Sequence, residues 1–117
     1  MNPQFWHGRR VFLTGHTGFK GSWLALWLQQ LGAQVTGYAL PSESESSLYK
    51  QARVGQNMHI ITADVRDLPA LKQALQAAQP DIVIHMAAQA LVRKAYTDPV
   101  STYSTNVIGT VHLLEAA

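Results

Sequence analysis

The sequence contains no cysteine. That excludes a disulfide framework, a cysteine nucleophile and any thiolate-held metal, and it suits a reducing compartment without requiring one. Long hydrophobic runs are missing too: the longest apolar stretch, residues 23–28, falls far short of the roughly 20 residues that span a bilayer. The first ten residues are polar and aromatic, without the apolar segment of a signal peptide. Charge is sparse at 14%, and nine Lys and Arg against seven Asp and Glu leave a formal +2. The basic residues never gather into a run, which removes the polybasic signal for nucleic acid or acidic membranes. The histidines at 7, 16, 59, 85 and 112 lack ligand spacing with one another, so no metal is expected. No Gly-x-Ser-x-Gly nucleophile elbow is present. The expectation is a cytoplasmic protein whose partners include neither nucleic acid nor membrane.

The 117 residues are 47% apolar, which suits one globular unit at the small end for an α/β domain. Residues 11–14 form a short β-rich run that ends at a glycine and read as a buried strand. From 22 to 31 apolar residues stand at 23, 24, 27, 28 and 31, the stripe of an amphipathic helix with Trp23 and Trp27 in the core and Gly32 as its stop. Strands follow at 34–39, 59–63 and 82–86, the last apolar enough to be buried on both faces. A polar loop is expected over 41–47. Asp67 before Leu68 and Pro69 predicts an N-cap and a helix to about Ala78, broken at Pro80. Residues 87–99 read mostly as loop with some helical turns, and residues 100–117 as helix without a cap. The order β-α-β-β-α-β-α predicts a Rossmann-like doubly wound parallel sheet, truncated after four strands. The whole of 1–117 then reads as the amino-terminal part of a dinucleotide-binding domain.

Glycines at 15, 18 and 21 stand between the first strand and the first helix. Glycine spacing alone is weak, because any tight turn uses glycine, but a strand before and a helix after give it the context of a phosphate cradle. Gly15 is expected to permit the turn, Gly18 to let the backbone approach a pyrophosphate, and Gly21 to let the helix pack on the sheet. Helix-start amides and the helix dipole then face the anion. The competing reading is a tight β-α turn with no ligand.

The spacing is Gly-x-x-Gly-x-x-Gly, with Thr14 before it and Phe19 after the middle glycine. This resembles the extended short-chain dehydrogenase/reductase family over essentially the whole chain. Asp64-Val65-Arg66-Asp67 matches that family's acidic element, whose Asp and next backbone amide hold adenine; an ordinary helix N-cap is the alternative, and Asp67 suits it. His85-Met86-Ala87-Ala88-Gln89 matches the segment passing beneath the nicotinamide ribose, unless the alanines simply pack closely. Thr105-Asn106-Val107-Ile108-Gly109-Thr110 matches the helix under the active site. The resemblance implies a cofactor site of Gly15, Thr17, Gly18, Phe19, Lys20, Gly21, Asp64, Val65, Ala87, Ala88, Gln89 and Asn106. At the end of the second strand stand Tyr38, Ala39 and Leu40, with Glu43 and Glu45 beyond and no basic residue before Lys50. That absence of a 2′-phosphate partner favours NAD over NADP.

Within the family, residues 5–12, His16, Lys20-Gly21-Ser22-Trp23, Leu91-Val92-Arg93 and 102–107 are most similar to the branch of bacterial CDP-glucose 4,6-dehydratases. The branch implies hydride removal at C4 of CDP-glucose, loss of water across C5 and C6, and hydride return at C6. The product, CDP-4-keto-6-deoxyglucose, leads to dideoxy sugars of the O-antigen in lipopolysaccharide. Gln89, Leu91 and Arg93 are then expected to face the nucleotide sugar, although Arg93 suits a solvated surface charge equally well. A homo-oligomer is expected at full length. Other nucleotide-sugar epimerases or dehydratases remain alternatives, as does a non-catalytic dinucleotide-binding module.

The family's base is a Tyr-x-x-x-Lys pair. Four residues after Tyr38, Tyr49, Tyr96 and Tyr103 stand Ser42, Arg53, Val100 and Val107, so no pair exists here. The family places it beyond position 117. Residues 1–117 assayed alone with CDP-glucose and NAD are therefore expected to give no 4-keto product; recovered activity would overturn the assignment of the base.

Overall fold

The computed structural model describes residues 2–41, 53–88 and 92–117, with side chains excepted at 92–94. The short β-rich runs form β1 (Arg10–Thr14), β2 (Gln34–Ala39), β3 (His59–Thr62) and β4 (Ile82–His85). They make one parallel sheet in the order β3-β2-β1-β4. Parallel neighbours cannot be joined by hairpins, so connections cross the faces and bring helices with them. Winding reverses at β1, with β2 and β3 to one side and β4 to the other. In such sheets the ligand crevice lies outside the carboxyl ends of the strands at the reversal. Those ends are Thr14 and His85, which are register partners.

Alternation along β1 builds two cores. Val11 and Leu13 pack with Ala25, Leu28, Val35 and Val54, under α2 (Phe19–Gln30) and a 3-10 turn (Val54–Asn57). Phe12 packs the other way with Tyr38, Val65, Leu71, Leu75 and Leu113, under helices that come later in the chain. A short α1 (Pro3–Trp6) precedes the sheet, α3 (Leu68–Ala78) lies between β3 and β4, and α4 (Val92–Thr97) follows β4. Then α5 (Pro99–Tyr103), a π turn (Ser104–Ile108) and α6 (Gly109–Ala116) run on as one helix, since Tyr103, Ser104, Ile108 and Gly109 all keep right-handed helical dihedrals. The α/β doubly wound architecture is as the sequence predicts. Leu28 and Leu71, one in each core, are fully buried, each worth about 1.5–3 kcal/mol over exposure.

Helix ends follow their residues. Gly32, at φ +85, sends its N–H to Gln29 O (3.1 Å) while Ala33 N reaches Leu28 O (3.0 Å), the paired bonds of a glycine-terminated helix. The Asp67 carboxylate accepts from Ala70 N at 3.1 Å, the expected cap of α3. Three expectations are corrected. Strand β4 is not buried on both faces, since Val83 is 37% exposed. Helix α2 starts at Phe19, not 22, and its buried face is Gly21, Ser22, Ala25 and Leu28. Trp23 and Trp27 are 56% and 49% exposed and do not belong to the core. Apolar residues surround this helix, so the stripe was ambiguous; contacts of its small first-turn residues with the glycine loop turn the tryptophans outward. Residues 41–47 fall largely outside the described residues.

His16 is buried (1% exposed) over β2, where a side chain on Gly37 would lie 2.5 Å from both its Nδ1 and the Met58 methyl. Gly37→Ala is therefore expected to cost about 1–3 kcal/mol by overpacking, read as a lower urea midpoint. Burial also pushes His16 down to about 4 from 6.5. Unfolded, it takes a proton near pH 6.5; folded, it stays neutral until about pH 4. Stability is thus unaffected by His16 above pH 6.5 and falls as pH drops through that window, by about 2–3 kcal/mol between pH 7 and 4.5. Urea melts at the two pH values check this, and His16→Asn should flatten the difference.

Candidate functional site

Three glycines shape the loop between β1 and α2, each for a different steric reason. Gly15 takes φ +81, a left-handed conformation that other residues adopt at a cost. A side chain there would also meet the backbone of Met86 and Ala87 at 2.6 Å. The turn closes through Gly15 N to Tyr38 O (3.0 Å) and Gly18 N to Gly15 O (3.2 Å). At Gly21 a Cβ would run into the Gly15 carbonyl, so this glycine seats the helix on the loop instead of on the sheet. Gly18 differs from both: a Cβ there meets only Gly15 O, at an ordinary 3.5 Å, and the residue is exposed.

Gly18 is also the N-cap of α2 and has no side chain to cap it, so the first-turn amides of Phe19, Lys20 and Gly21 receive no side-chain cap. Phe19 and Lys20 are exposed. Ser22 donates from Oγ to His16 O at 2.8 Å, and Thr17 from Oγ1 to Leu40 O at 2.9 Å, tying the loop to its own base and to the end of β2.

Thr14 is buried beneath the loop, and its Oγ1 accepts from the amides of Met86 (3.0 Å) and Ala87 (3.1 Å). The segment after β4 is thereby held against the glycine loop. Ala87 is half-buried and Ala88 exposed. The same hydroxyl lies 2.6 Å from His85 Nδ1, whose Nε2 lies 3.1 Å from Thr110 Oγ1. Residues were assigned to the site from the sequence without Thr14, His85 or Thr110. A threonine and a histidine at the ends of two strands gave the only sequence signal, and it becomes a contact only once β1 and β4 are neighbours.

Asp64 follows β3. Its Oδ1 accepts from Arg66 N (2.9 Å) and its Oδ2 from Arg66 Nε (2.8 Å) and Nη2 (2.6 Å). The Arg66 guanidinium holds this carboxyl below the usual carboxylate range. Three of about four accepting positions are occupied, leaving room for one more donor. Tyr38 donates to Asp64 O at 2.8 Å, and its phenol is pushed up to about 12 by burial first and by Asp67 and Asp64 next. Val65 is buried against α6, where a Cβ on Gly109 would reach its Cγ2 at 2.7 Å, and His112 Nδ1 donates to Val65 O at 3.1 Å.

Asn106 lies in the π turn, half-buried. Gln89, Leu91, Glu43, Glu45 and Lys50 lie outside the described residues, as does the Arg93 side chain, whose backbone belongs to α4. At the end of β2, Tyr38 and Ala39 are buried and Leu40 exposed, with no charge among them. Among the described residues no cluster of three or more His, Asp or Glu could hold a metal, and no helix is long and apolar enough to cross a membrane.

Known proteins resemble this arrangement closely. A CDP-glucose 4,6-dehydratase of Salmonella typhimurium is 53% identical over 115 residues, covering 98% of this chain and 32% of that protein. A UDP-glucuronate 4-epimerase of Arabidopsis thaliana is 35% identical, over 95% of this chain and 25% of the other. Among solved structures, the UDP-glucose 4-epimerase of Stenotrophomonas maltophila with bound NAD and formylated UDP-arabinopyranose superposes with a TM-score of 0.81 at 28% identity, over 92% of this chain and 33% of that one. The chain thus spans about a third or less of the proteins it matches. Residues 12–117 match the family described as GDP-mannose 4,6 dehydratase, and the chain belongs to that family.

Proposed function

We propose that residues 1–117 are the amino-terminal, NAD-binding part of a longer CDP-glucose 4,6-dehydratase. The observation that carries the substrate is the 53% identity to the Salmonella enzyme along almost the whole chain, against 35% to the Arabidopsis epimerase. The observation that carries the cofactor is the cradle itself: an uncapped helix start and a Gly18 whose missing side chain leaves the outer face of the loop open.

The residues present fit a dinucleotide. Backbone amides of Phe19, Lys20 and Gly21, the positive end of the α2 dipole and the Lys20 ammonium suit a pyrophosphate. Gly15 and Thr17 hold the loop in the shape that presents them. The one open accepting position of Asp64 and the Val65 amide suit the adenine edge. Ala87 and Ala88 suit the nicotinamide ribose, where larger side chains would block entry, and Asn106 of the π turn is assigned to the same site. Gln89, Leu91 and Arg93, next along the chain, are assigned to the nucleotide sugar. The uncharged end of β2, Tyr38 to Leu40, supports NAD over NADP.

NAD bound there supplies a hydride acceptor for sugar C4 and a hydride donor for C6, so that it emerges unchanged from each turnover. This chain's residues bind and orient; the base that deprotonates the C4 hydroxyl belongs to a Tyr-x-x-x-Lys outside it. Val100, Tyr103, Val107, Val111 and Leu114 are exposed along the α5–α6 helix, an apolar stripe that supports burial against a second copy at full length. A cytoplasmic enzyme supplying deoxysugars for the O-antigen is the setting this reading implies.

Full-length protein incubated with CDP-glucose is expected to release NAD on denaturation and to form the 4-keto-6-deoxy product. Gly21→Val, which drives a side chain into the Gly15 carbonyl, is expected to lower NAD occupancy by at least tenfold. No product from CDP-glucose together with turnover of a different nucleotide sugar would overturn the substrate; no bound NAD would overturn the cofactor.

A further inference from the structure

At the reversal of the sheet, donor and acceptor chemistry gives a four-residue hydrogen-bonded chain its direction. Thr14 Oγ1 has three partners: Met86 N (3.0 Å), Ala87 N (3.1 Å) and His85 Nδ1 (2.6 Å). A hydroxyl has one proton and two lone pairs. The Met86 amide is shared with the Thr14 carbonyl at 3.1 Å. Both amides can only donate, so among these three partners only His85 Nδ1 can accept the Thr14 proton. That nitrogen is therefore bare, and the proton of the neutral ring sits on Nε2. Nε2–H then donates to Thr110 Oγ1 at 3.1 Å. Thr110 in turn donates to the Asn106 carbonyl at 2.7 Å, since a carbonyl can only accept.

The far end of the chain has its own significance. Asn106 stands in the π turn, where Gly109 N reaches back five residues to Ser104 O. Such turns arise where an extra residue must be accommodated in a helix, and they concentrate at functional sites. A threonine hydroxyl on the carbonyl four residues earlier also bends a helix. The near end of the chain is the floor of the glycine loop. We propose that His85 is a positioning residue of the cofactor site: locked as its Nε2–H tautomer, it makes the glycine loop, the Met86–Ala87 segment and the Asn106 turn one hydrogen-bonded body.

An imidazolium does not fit this chain. Its Nδ1–H would compete with the Met86 and Ala87 amides for the Thr14 lone pairs and leave the Thr14 proton without its acceptor. Burial acts in the same direction, lowering the pKa of His85. The ring contributes no charge beside the anion-binding loop, and its work is directional. The proposal rests on the NAD reading above.

Two measurements on the full-length protein test it. With ¹⁵N-labelled histidine at pH 7, His85 should show a protonated ε-nitrogen and a bare δ-nitrogen; the opposite tautomer, or rapid exchange between the two, would overturn the locked chain. For NAD added to stripped protein and followed by calorimetry, Thr110→Val should weaken binding about tenfold, the loss of one such bond in a buried setting. Thr110→Ser, which keeps the hydroxyl, should restore binding to within about twofold. Leu28→Ala, a truncation in the opposite core, should lower the melting temperature and leave NAD affinity unchanged, which separates positioning from plain stability. If the parent binds NAD and Thr110→Val binds it equally well, the positioning role is wrong and the cofactor reading stands. If the parent binds no NAD, the cofactor reading fails and this role fails with it.

Discussion

The close approach of backbone at Gly15 is the constraint on which the site depends. Its carbonyl lies where a side chain on Gly21 would be, and its own α-carbon faces the backbone of Met86 and Ala87 with no space for a Cβ. Two separate parts of the chain, the start of α2 and the exit of β4, converge on one residue because it has no side chain and holds a left-handed φ. Relaxing either contact would lift the helix start away from the carboxyl edge of the sheet. The amides of the first turn would then no longer be aimed at the crevice beside the winding reversal. The cradle is thus a steric product before it is an electrostatic one.

From that point the rest of the architecture follows in layers. Ser22 and Ala25 continue the small inner face of α2, so Leu28 is the first large side chain of the helix to be fully buried in its core. On the other face of the sheet, Gly109 plays a matching part, since its missing side chain lets α6 reach Val65 just after β3. Glycine contacts therefore bring helices close at both ends of the proposed dinucleotide site, the phosphate end and the adenine end. Between them Tyr38 spans from β2 to the Asp64 carbonyl, and its packing against Phe12, at 5.9 Å between ring centroids, joins the adenine end to the second core.

Much of this was legible in the sequence, and the exceptions share a cause. The strand runs, the Asp67 cap and the Gly32 stop are local: each is decided by a few neighbouring residues and their dihedral preferences, and each stands where the pattern predicts. The doubly wound order followed from alternating strands and helices. The tryptophans of α2 were misread because apolar residues surround that helix, and only contacts with a distant loop choose the inward face. The need for glycine at 37 and 109 was likewise hidden, since His16 and Val65 approach them from other elements. A π turn has no distinct sequence pattern, so residues 100–117 read simply as helix. Of the site, the glycine loop could be read directly; the partners of Thr14 could not, because His85 is 71 residues away and becomes a neighbour only through the order of the strands.

Separation in sequence also bears on how such a site can be precise. The glycine loop is one continuous segment, and a turn held only by its own bonds would retain freedom relative to the strands beside it. Thr14 removes that freedom because its hydroxyl accepts from two amides of the segment after β4 and donates its proton to β4 itself. Each of these bonds alone adds only about 0.5–1.5 kcal/mol to stability. Their larger effect is geometric, because one hydroxyl with three fixed partners permits few orientations of the two strand ends. Valine in its place would keep the shape of the side chain while leaving the Ala87 amide without this acceptor and the Met86 amide with the backbone carbonyl of residue 14 alone, a cost of about 1–3 kcal/mol for the Ala87 group. Threonine at the end of β1 is therefore constrained by its hydrogen-bond partners, as Gly15 is constrained by space. The cradle needs both residues, one to let the backbones meet and the other to fix them where they meet.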